Sequence, residues 1–417
     1  MKILLIHDIG TATGGAELQI LSLRQGLRDL GHDVRLFSSL ATPVINSKLL
    51  ADYSCFGTNT LLQVLSQTIN PSAYLKLRQI LREFRPNVVH IRMFMWQMSP
   101  VILPLLKDIP CIYQTAVYKA ICPAGTKVLP DGSDCHSNPG TVCMSHGCLT
   151  PQSWAVLMVQ HKLWSYWREA FDVVVALSQG MKTKLETAGI KPVEVVYNGV
   201  PVKEERSPLS QIPTVVYAGR LVPEKGVDIL LQAFAKAKDK IPQSKLIIAG
   251  DGVEKDRLQT LSQDLGIADA VIWLGYLPQS EMEQHFAGAW VQAVPSQWAE
   301  PFGNVTTEAM MRGTAVIASA VGAQPEIVLD GETGYLVSPP GNIDFWATNL
   351  IFLLSDLQLA TRMGSAGRDR AVKEFSEQAR NQRFLEIYTR LQTQYKIANS
   401  SIRKPLDNSN PKLKAKS

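Results

Sequence analysis

The amino-acid sequence predicts an α/β protein made of two doubly wound units that face each other across a cleft. Short apolar runs alternate with segments of helical periodicity along most of the 417 residues, and glycine turns follow several of these runs. A chain of this length is long for one hydrophobic core, which favours two domains. Its 46% apolar and 19% charged residues are typical of a globular protein.

The first unit opens with a strand, a glycine turn, a helix and a second strand. Ile3–Ile6 is apolar throughout, Gly10–Gly15 forms the turn, and a helix is predicted from about Ala16 to Leu30. Val34–Ser38 completes a unit of the kind that builds parallel sheets. Two further strands are predicted at residues 86–91 and 173–178.

The second unit begins near Thr214 and repeats this alternation. A buried helix face is predicted over Val227–Phe234, and strands are predicted at Val215–Ala218, Leu246–Ala249, Val271–Leu274, Val291–Val294 and Val316–Ser319. Prolines cluster near Val200–Ile212, where the two units join. Ligands of doubly wound sheets bind beyond the carboxyl ends of the strands, so the cleft between the units is the predicted site.

The net charge of +5 comes from the carboxyl-terminal tail. Residues 396–417 carry six Lys or Arg and one Asp, so the rest of the chain is near neutral, which argues against a nucleic-acid-binding face. This polar tail is predicted to be disordered. No apolar run approaches the length of a membrane span, and Ile3–Ile6 is too short for a signal-peptide core. We therefore expect a cytoplasmic protein with reduced thiols.

Two glutamates eight positions apart give the strongest functional signal. Glu300 precedes the loop Pro301–Asn304, and Glu308 lies in the helical run Thr306–Arg312. A helix that starts after a loop offers free N–H groups, where phosphate binds readily. A carboxylate in that helix can accept hydrogen bonds from ribose hydroxyls, and one in the loop can reach a sugar. The segment therefore predicts a ligand that carries both phosphate and hydroxyl groups.

Glycine and cationic residues in other strand-end loops predict further contacts. Gly14 and Gly15 lie between the first strand and the first helix, where the backbone can approach a phosphate, although the spacing is not that of the dinucleotide-binding motif. Arg220 and Lys225, five positions apart, suit the two phosphates of a nucleoside diphosphate. Glu326, at another strand end, is predicted either to join this site or to cap its own helix.

Taken in this order, these runs resemble the retaining glycosyltransferases of family 4, which have the GT-B fold. The resemblance extends to about Leu391, and its matching runs are Gly14-Gly15-Ala16-Glu17, Ala218-Gly219-Arg220 with Lys225-Gly226, Gly250-Asp251-Gly252, Glu300-Pro301-Phe302-Gly303-Asn304 with Glu308, and Ala315–Ser319 with Gly322 and Glu326. It implies transfer of a sugar from a nucleoside-diphosphate sugar, with retention and no required metal. We expect the sugar to be a hexose and the acceptor to be a hydroxyl of a glycan or lipid-linked saccharide.

The resemblance also assigns roles to individual residues. Arg220 and Lys225 would bind the diphosphate and stabilise its charge as it leaves, so they are predicted to be catalytic together with Glu300. Glu300 would hold the donor sugar, Glu308 the ribose, and Gly15 would approach the diphosphate from across the cleft. Backbone amides would contact the sugar or the phosphate at Phe302, Gly303 and Asn304.

By the same resemblance, the chain divides into two domains and a closing helix. Residues 1–200 would form the acceptor-side domain, with a cysteine-rich insertion at 122–148, and residues 201–371 would bind the nucleotide sugar. Residues 372–395 would return to the first domain as a closing helix with Phe384, Tyr388 and Leu391 on its apolar face. The disordered tail at 396–417 would follow.

One position departs from the family pattern. Many relatives have a histidine six residues before a Cys-Pro pair, and Ala116 takes that place before Cys122-Pro123, with Gln114 two positions away. Alanine can neither contact the donor sugar nor assist catalysis as a histidine would. The alternative function is therefore a non-catalytic nucleotide-sugar-binding protein. A further enzymatic alternative is a sugar-phosphate synthase or phosphorylase of the same fold.

Four of the six cysteines and two histidines crowd into one loop-rich stretch: Cys122, Cys135, His136, Cys143, His146 and Cys148. Cytosolic cysteine clusters favour metal over disulfides, but the gaps of 12, 7 and 4 residues lack the C-x2-C pair of many zinc sites. The four cysteines are thus either ligands of a structural zinc or idle thiols. Cys55 and Cys111 are predicted to be core thiols.

The aromatic segment Trp154–Phe171 is predicted to form a helix. Its aromatic side chains favour packing in the core. By the resemblance, the alternative is peripheral contact with the inner face of a membrane, through the Trp side chains and Arg168.

Overall fold

The computed structural model of the protein describes residues 1–42, 47–60, 62–203 and 208–402. The predicted junction at Val200–Ile212 lies partly outside these residues, and the predicted tail from 403 onward lies wholly outside them. Two parallel sheets, each with helices on both faces, account for the described chain, as the sequence predicts.

The first half contains seven strands and six α-helices among its described residues. In chain order they are β1 (Lys2–Ile9), α1 (Gly15–Asp29), β2 (Asp33–Ser39), β3 (Tyr53–Cys55), α2 (Gln63–Ser66), α3 (Pro71–Phe84), β4 (Val88–Met93), β5 (Cys111–Gln114), α4 (Val142–Ser145), α5 (Pro151–Trp167), β6 (Val173–Ala176), α6 (Gln179–Thr187) and β7 (Val193–Val195). The strands form one sheet in the order β3-β2-β1-β4-β5-β6-β7. All its neighbours pair in parallel.

The second half follows the same plan. In chain order its elements are β8 (Thr214–Ala218), α7 (Val227–Lys240), β9 (Lys245–Ala249), α8 (Lys255–Asp264), β10 (Val271–Gly275), α9 (Gln279–Phe286), β11 (Val291–Val294), α10 (Asn304–Arg312), β12 (Ala315–Ser319), α11 (Gln324–Ile327), β13 (Gly334–Val337), α12 (Ile343–Ser355), α13 (Leu357–Glu374) and α14 (Glu377–Ile402). Its sheet has the order β10-β9-β8-β11-β12-β13 and is also parallel.

In both sheets the strand order reverses beside the first strand of the half. β1 lies between β2 and β4, and β8 lies between β9 and β11. Such a reversal leaves a crevice at the carboxyl ends of the strands, because the connections on either side turn away to opposite faces. The loops after β1, β8 and β11 therefore lie where a ligand can bind.

The helix that closes the chain packs on the first half. Phe384, Tyr388 and Leu391 of α14 are buried against the first sheet, as predicted. The Tyr388 hydroxyl lies 2.6 Å from Nδ1 of the buried His90. Arg380 donates to Oε1 of Gln19 in α1 at 2.9 Å. The closing helix thus joins the second half to the first through apolar and polar contacts.

The prediction of a disordered tail from residue 396 is wrong in its first part. α14 continues without a break to Ile402. Residues 396–402 contain neither proline nor glycine, so nothing in their sequence ends a helix that is already formed.

Candidate functional site

Lys225 and Glu300 form an ion pair at the carboxyl ends of β8 and β11. The Lys225 Nζ lies 2.6 Å from Oε1 of Glu300, and the two side chains are 18% and 14% exposed. Lys225 ends a short 3-10 turn after β8, and Glu300 lies in the loop between β11 and α10. The structure therefore joins two of the predicted catalytic residues, which are 75 positions apart in sequence.

A glycine lets these two loops pack together. Gly226 has a φ of +64°, and a Cβ atom there would lie 2.2 Å from the carbonyl oxygen of Pro295. No side chain fits this place, because the backbone of the Glu300 loop occupies it. The Gln297 N–H also donates to the Glu224 carbonyl at 2.8 Å. The position of Lys225 is therefore fixed by the loop that carries its partner.

Arg220 extends from the same turn into the cleft. Its side chain is 68% exposed, and Nη2 lies 3.6 Å from Oε1 of Glu224. Its backbone is supported from behind, because the Leu221 N–H donates to the Asp251 carbonyl at 2.9 Å. A Cβ atom on Gly250 would lie 1.9 Å from the Gly219 carbonyl oxygen, so the two strand-end turns are in direct contact. The guanidinium retains donors that face solvent.

Glu308 lies on α10, in a half-buried position. Its Oε1 accepts a hydrogen bond from Nε2 of Gln279 at 3.1 Å. Burial, and after it the negative charge of Glu283, raises the pKa of Glu308 to about 7. Glu283 is itself paired with Lys203 at 2.6 Å and with Arg312 at 2.9 Å. The Glu308 carboxyl can therefore gain or lose its proton near neutral pH.

The N-terminus of α10 opens toward the first half. The helix begins at Asn304, two residues before the predicted start, and Gly303 precedes it. Phe302 is 4% exposed and packs against Tyr197 and Phe375, with ring centroids 5.8 Å and 6.1 Å away. This anchor fixes the first turn of α10, in which the Thr306 and Thr307 N–H groups donate to the Gly303 carbonyl, and the positive end of the helix dipole there attracts anions.

A chain of hydrogen bonds crosses the cleft beside this turn. Asn198 Nδ2 donates to Oδ1 of Asn304 at 3.0 Å, and Arg92 Nη2 donates to Oδ1 of Asn198 at 3.2 Å. A Cβ atom on Gly15 would lie 3.4 Å from Nδ2 of Asn304. The glycine turn of the first half therefore lies directly opposite the start of α10.

Two family models match the chain. "Glycosyl transferase 4-like domain" matches residues 14–199, and "Glycosyl transferases group 1" matches residues 203–370. The chain belongs to the family 4 glycosyltransferases of the GT-B fold.

Curated relatives agree with this family. The chain is 36% identical over 189 residues to the GDP-mannose-dependent α-(1-6)-phosphatidylinositol monomannoside mannosyltransferase of Mycolicibacterium smegmatis. The aligned region covers 44% of this chain and 49% of the relative. It is 33% identical over 226 residues to the D-inositol 3-phosphate glycosyltransferase of Corynebacterium aurimucosum, covering 52% and 51%. The chain thus spans about half the length of these relatives.

Solved structures confirm the fold. The sucrose-phosphate synthase of Thermosynechococcus elongatus superposes with a TM-score of 0.70 at 22% identity, covering 94% of this chain and 100% of the other. Anabaena HepE in complex with UDP and glucose gives a TM-score of 0.66 at 23% identity, covering 93% and 99%. The predicted GT-B architecture is therefore confirmed.

The first half of the chain also has a buried polar group that the sequence did not predict. His7 is fully buried, and its Nε2 lies 3.5 Å from Oε1 of Glu17, longer than a normal hydrogen bond. Burial lowers the pKa of His7, which keeps the ring neutral. Burial, and after it Arg380, lowers the pKa of Arg92 to about 9. Their position in the sequence could have indicated these residues, because His7 and Arg92 each follow a run of buried residues in a strand.

Glu326 has a different role from the predicted cap on its own helix. Its two carboxylate oxygens accept hydrogen bonds from the N–H groups of Gln179 and Gly180, at 2.7 Å and 2.8 Å. These residues form the first turn of α6, in the other half of the chain. Glu326 therefore caps a helix across the cleft and holds the two halves together at this point.

Gln114 does not take the place of the family histidine at Ala116. Gln114, two positions away, is fully buried, and its Oε1 lies 3.2 Å from Nε2 of His90. That contact keeps the Gln114 amide in the core of the first half. Ala116 itself is half-buried in the segment after β5.

The four clustered cysteines all line one cavity of about 20 Å³, together with His146. All four thiols are free. Within the described ranges, however, no group of three or more His, Cys, Asp or Glu side chains is arranged to hold a metal ion. The predicted zinc ligand set is therefore gathered around one small space but is not assembled as a metal site. Cys55 and Cys111 are buried, which confirms their prediction as core thiols.

The aromatic helix is mainly a core element. Trp164 is 1% exposed, Phe171 is 8% exposed, and their rings pack against Tyr113. Tyr166 is 77% exposed on the opposite face. The core interpretation of the predicted segment is confirmed for Trp164 and Phe171, whereas Trp154 and Trp167 are half-buried. No helix within the described residues is both long and apolar enough to cross a membrane.

Proposed function

We propose that this glycosyltransferase moves a hexose from a nucleoside-diphosphate sugar to a hydroxyl of a glycan or lipid-linked saccharide, with retention of configuration. The observation that carries the proposal is the half-buried Lys225–Glu300 pair, with a contact of 2.6 Å, at the sheet edge that faces the first half. A cation and a carboxylate held side by side can bind the phosphate and the sugar hydroxyls of one donor molecule.

In this proposal the donor lies along the second half. The ribose hydroxyls donate to the Glu308 carboxylate, which sits at the far end from Glu300. The diphosphate lies between the Arg220 guanidinium, the Lys225 ammonium and the first turn of α10, with Gly15 on the opposite side. The sugar then reaches Glu300 and the backbone amides of Phe302, Gly303 and Asn304.

The same groups suit the chemical step. The diphosphate gains negative charge as the glycosidic bond breaks, and fixed cations and helix N–H groups stabilise it without rearranging. Arg220 is 68% exposed and can turn toward the leaving group, whereas Lys225 is fixed by its partner. These charges support a reaction that needs no metal ion for the leaving group.

The names of matching proteins narrow the choice of donor. One relative is described as GDP-mannose-dependent, and one matching structure contains UDP-glucose. Both donors carry a hexose on a nucleoside diphosphate. We therefore propose GDP-mannose and UDP-glucose as the first donors to test, with an ADP-sugar beside them.

Equilibrium binding and nucleotide release test the proposal. The purified protein is titrated with UDP, GDP and ADP, and then incubated with the matching radiolabelled sugars in the presence of a saccharide extract. We expect one nucleotide to bind and its sugar to be consumed, and we expect Glu300→Ala to lose consumption. Glu332→Ala, which removes an exposed carboxylate of the second half, is the matched control. Binding without turnover would favour the non-catalytic alternative, and no binding at all would contradict the proposed donor site.

We also propose peripheral membrane contact, but not through the predicted Trp side chains. Leu65, Ile69 and Val159 are 62%, 57% and 51% exposed around an apolar groove between α2 and α5. Such a surface suits a protein that takes a lipid-linked acceptor. Val159→Glu should reduce co-sedimentation with phospholipid vesicles, whereas Val253→Glu, at an 86% exposed position of the second half, should not. Equal effects would contradict the contact.

A further inference from the structure

A second chamber adjoins the proposed donor site. It has a volume of about 670 Å³ and lies between the cysteine-rich segment of the first half and the turn that carries Arg220 and Lys225. Thr126, Leu129 and Asp131 line one wall. The opposite wall is formed by Arg220, Glu224 and Trp298.

Among the residues assigned to the nucleotide sugar, Arg220 alone also lines the chamber. Neither Glu308 nor Gly15 belongs to its lining, although both flank the proposed path of the ribose and diphosphate. Trp298 links the two spaces, because the Lys225 Nζ lies 5.9 Å from the centre of its ring. A molecule in the chamber would therefore lie next to the donor sugar, on the side away from the base.

We propose that this chamber binds the saccharide end of the acceptor, an inference that rests on the transfer reaction proposed above. Its walls combine carboxylates, an amide and an aromatic face, which suit sugar hydroxyls and the apolar face of a sugar ring. Hydrogen bonds from Ser133 lower the pKa of Asp131, so this carboxylate is charged and can accept from a hydroxyl. The volume falls within the range of small-ligand sites, about 300–1,000 Å³.

The cysteine cluster adjoins the wall of this chamber. Ala124, Val128, Leu129 and Cys148 line both the chamber and the small cavity that the four thiols share. The segment between Cys122 and Cys148 has only one short helix, α4, and one antiparallel bridge, Val128 to Asp134, among its described residues. Asp134 is also paired with Lys184 at 3.1 Å. The shared lining residues therefore connect one wall of the chamber to the small cavity of the four thiols.

Two substitutions in the first-half wall test the proposal. Asp131→Asn keeps the shape but removes the charge, and Thr126→Trp fills the chamber with a bulky ring. Both residues are exposed, so neither change disturbs the core. Asn138→Ala is the control, because Asn138 is exposed in the same segment and lines neither space.

The readouts separate acceptor binding from donor binding. The donor is GDP-mannose or UDP-glucose, whichever the wild type consumes. The acceptor is the first of maltohexaose, methyl α-mannoside and phosphatidylinositol mannoside that it glycosylates. We expect Asp131→Asn to raise the acceptor KM about tenfold and Thr126→Trp to abolish transfer, with the Kd for UDP or GDP within about twofold of the wild-type value.

Three other outcomes would overturn the inference. An unchanged acceptor KM in both variants would place the acceptor elsewhere. A nucleotide Kd that weakens in step with transfer would assign the chamber to the donor. If the wild-type protein bound nucleotide but glycosylated none of the three acceptors, the proposal that the acceptor is a saccharide would be contradicted. Failure of the proposed function itself looks different, because the wild type would then bind neither UDP nor GDP.

Discussion

Substitution of Lys225 and substitution of Glu300 should change the affinity for the nucleotide in opposite directions, although both break the same ion pair. Lys225→Ala removes a charged donor to phosphate, which is worth about 1.5–3 kcal/mol, so the Kd for UDP or GDP should weaken about 10- to 100-fold. Glu300→Gln keeps the side-chain shape but frees the ammonium from a carboxylate 2.6 Å away. Because the pair is 18% and 14% exposed, we discount it to about 1 kcal/mol, and the free nucleotide should bind up to about fivefold more tightly.

Calorimetric titration with UDP and GDP, without sugar, measures both shifts directly. The transfer rate should still fall ~100- to 1000-fold in each variant, because each loses a group that acts on the donor. Lys236→Ala is the control, since Lys236 forms an exposed pair with Asp344 away from the cleft. If both variants of the Lys225–Glu300 pair weakened the nucleotide equally, the pair would be a structural contact and the reasoning would be wrong.

Three further predictions concern other parts of the fold. The pKa of the Glu308 carboxyl is raised from 4.5 to about 7. Donor affinity should therefore rise between pH 6 and pH 8, as the carboxylate forms. Binding titrations at both pH values should show that Glu308→Gln removes most of this rise. By the same shift, the folded state holds this proton more tightly than the unfolded state. The contribution of the Glu308 carboxyl to the free energy of unfolding is therefore full below pH 4.5 and is lost as the pH rises to about 7. Denaturant titrations of Glu308→Gln should lack this pH dependence. Glu326→Ala removes the carboxylate that accepts from the first turn of α6, and it should lower the free energy of unfolding by about 1 kcal/mol. Denaturant titration measures this change. An unchanged free energy of unfolding would mean that the contact across the cleft does not stabilise the fold. Trp164→Ala should cost about 3–5 kcal/mol in the same assay, whereas Tyr166→Ala, at a 77% exposed position, should cost nearly nothing, and similar losses would contradict the burial of Trp164.

The sequence predicts the long parallel strands because they are buried on both faces. Strands such as Leu246–Ala249 and Val215–Ala218 appear as uninterrupted apolar runs, and the structure places them at nearly the predicted bounds. Short edge strands were missed, among them Tyr53–Cys55 and Val193–Val195, because three residues give no usable period. Their place at the sheet edges depends on tertiary contacts.

The donor side of the site was predictable because its residues lie in local motifs. Arg220, Lys225, Glu300 and Glu308 each follow or open an element whose type the sequence indicates, and the structure brings Lys225 and Glu300 into contact. Contacts across the cleft were not predictable in this way. Glu326 gives the same local signal whether it caps its own helix or α6, and only the packing of the two halves decides between them.

The cysteine-rich segment shows a different limit. Its spacing left zinc ligands and idle thiols equally open, and the structure adds that the cavity of the four thiols shares lining residues with a large chamber. No periodic pattern marks such a wall, because its residues come from turns and one short helix. The sequence therefore indicates the loop-rich composition of the segment but not its position beside Arg220.

The most direct test of the central claim is the anomeric configuration of the newly formed bond. Proton NMR of the purified product reports this configuration together with the transfer itself, because a glycosidic bond does not mutarotate. Transfer with retention predicts a product that keeps the α-configuration of the donor and is absent with Glu300→Ala. A product of inverted configuration, or the same product from Glu300→Ala, would contradict it.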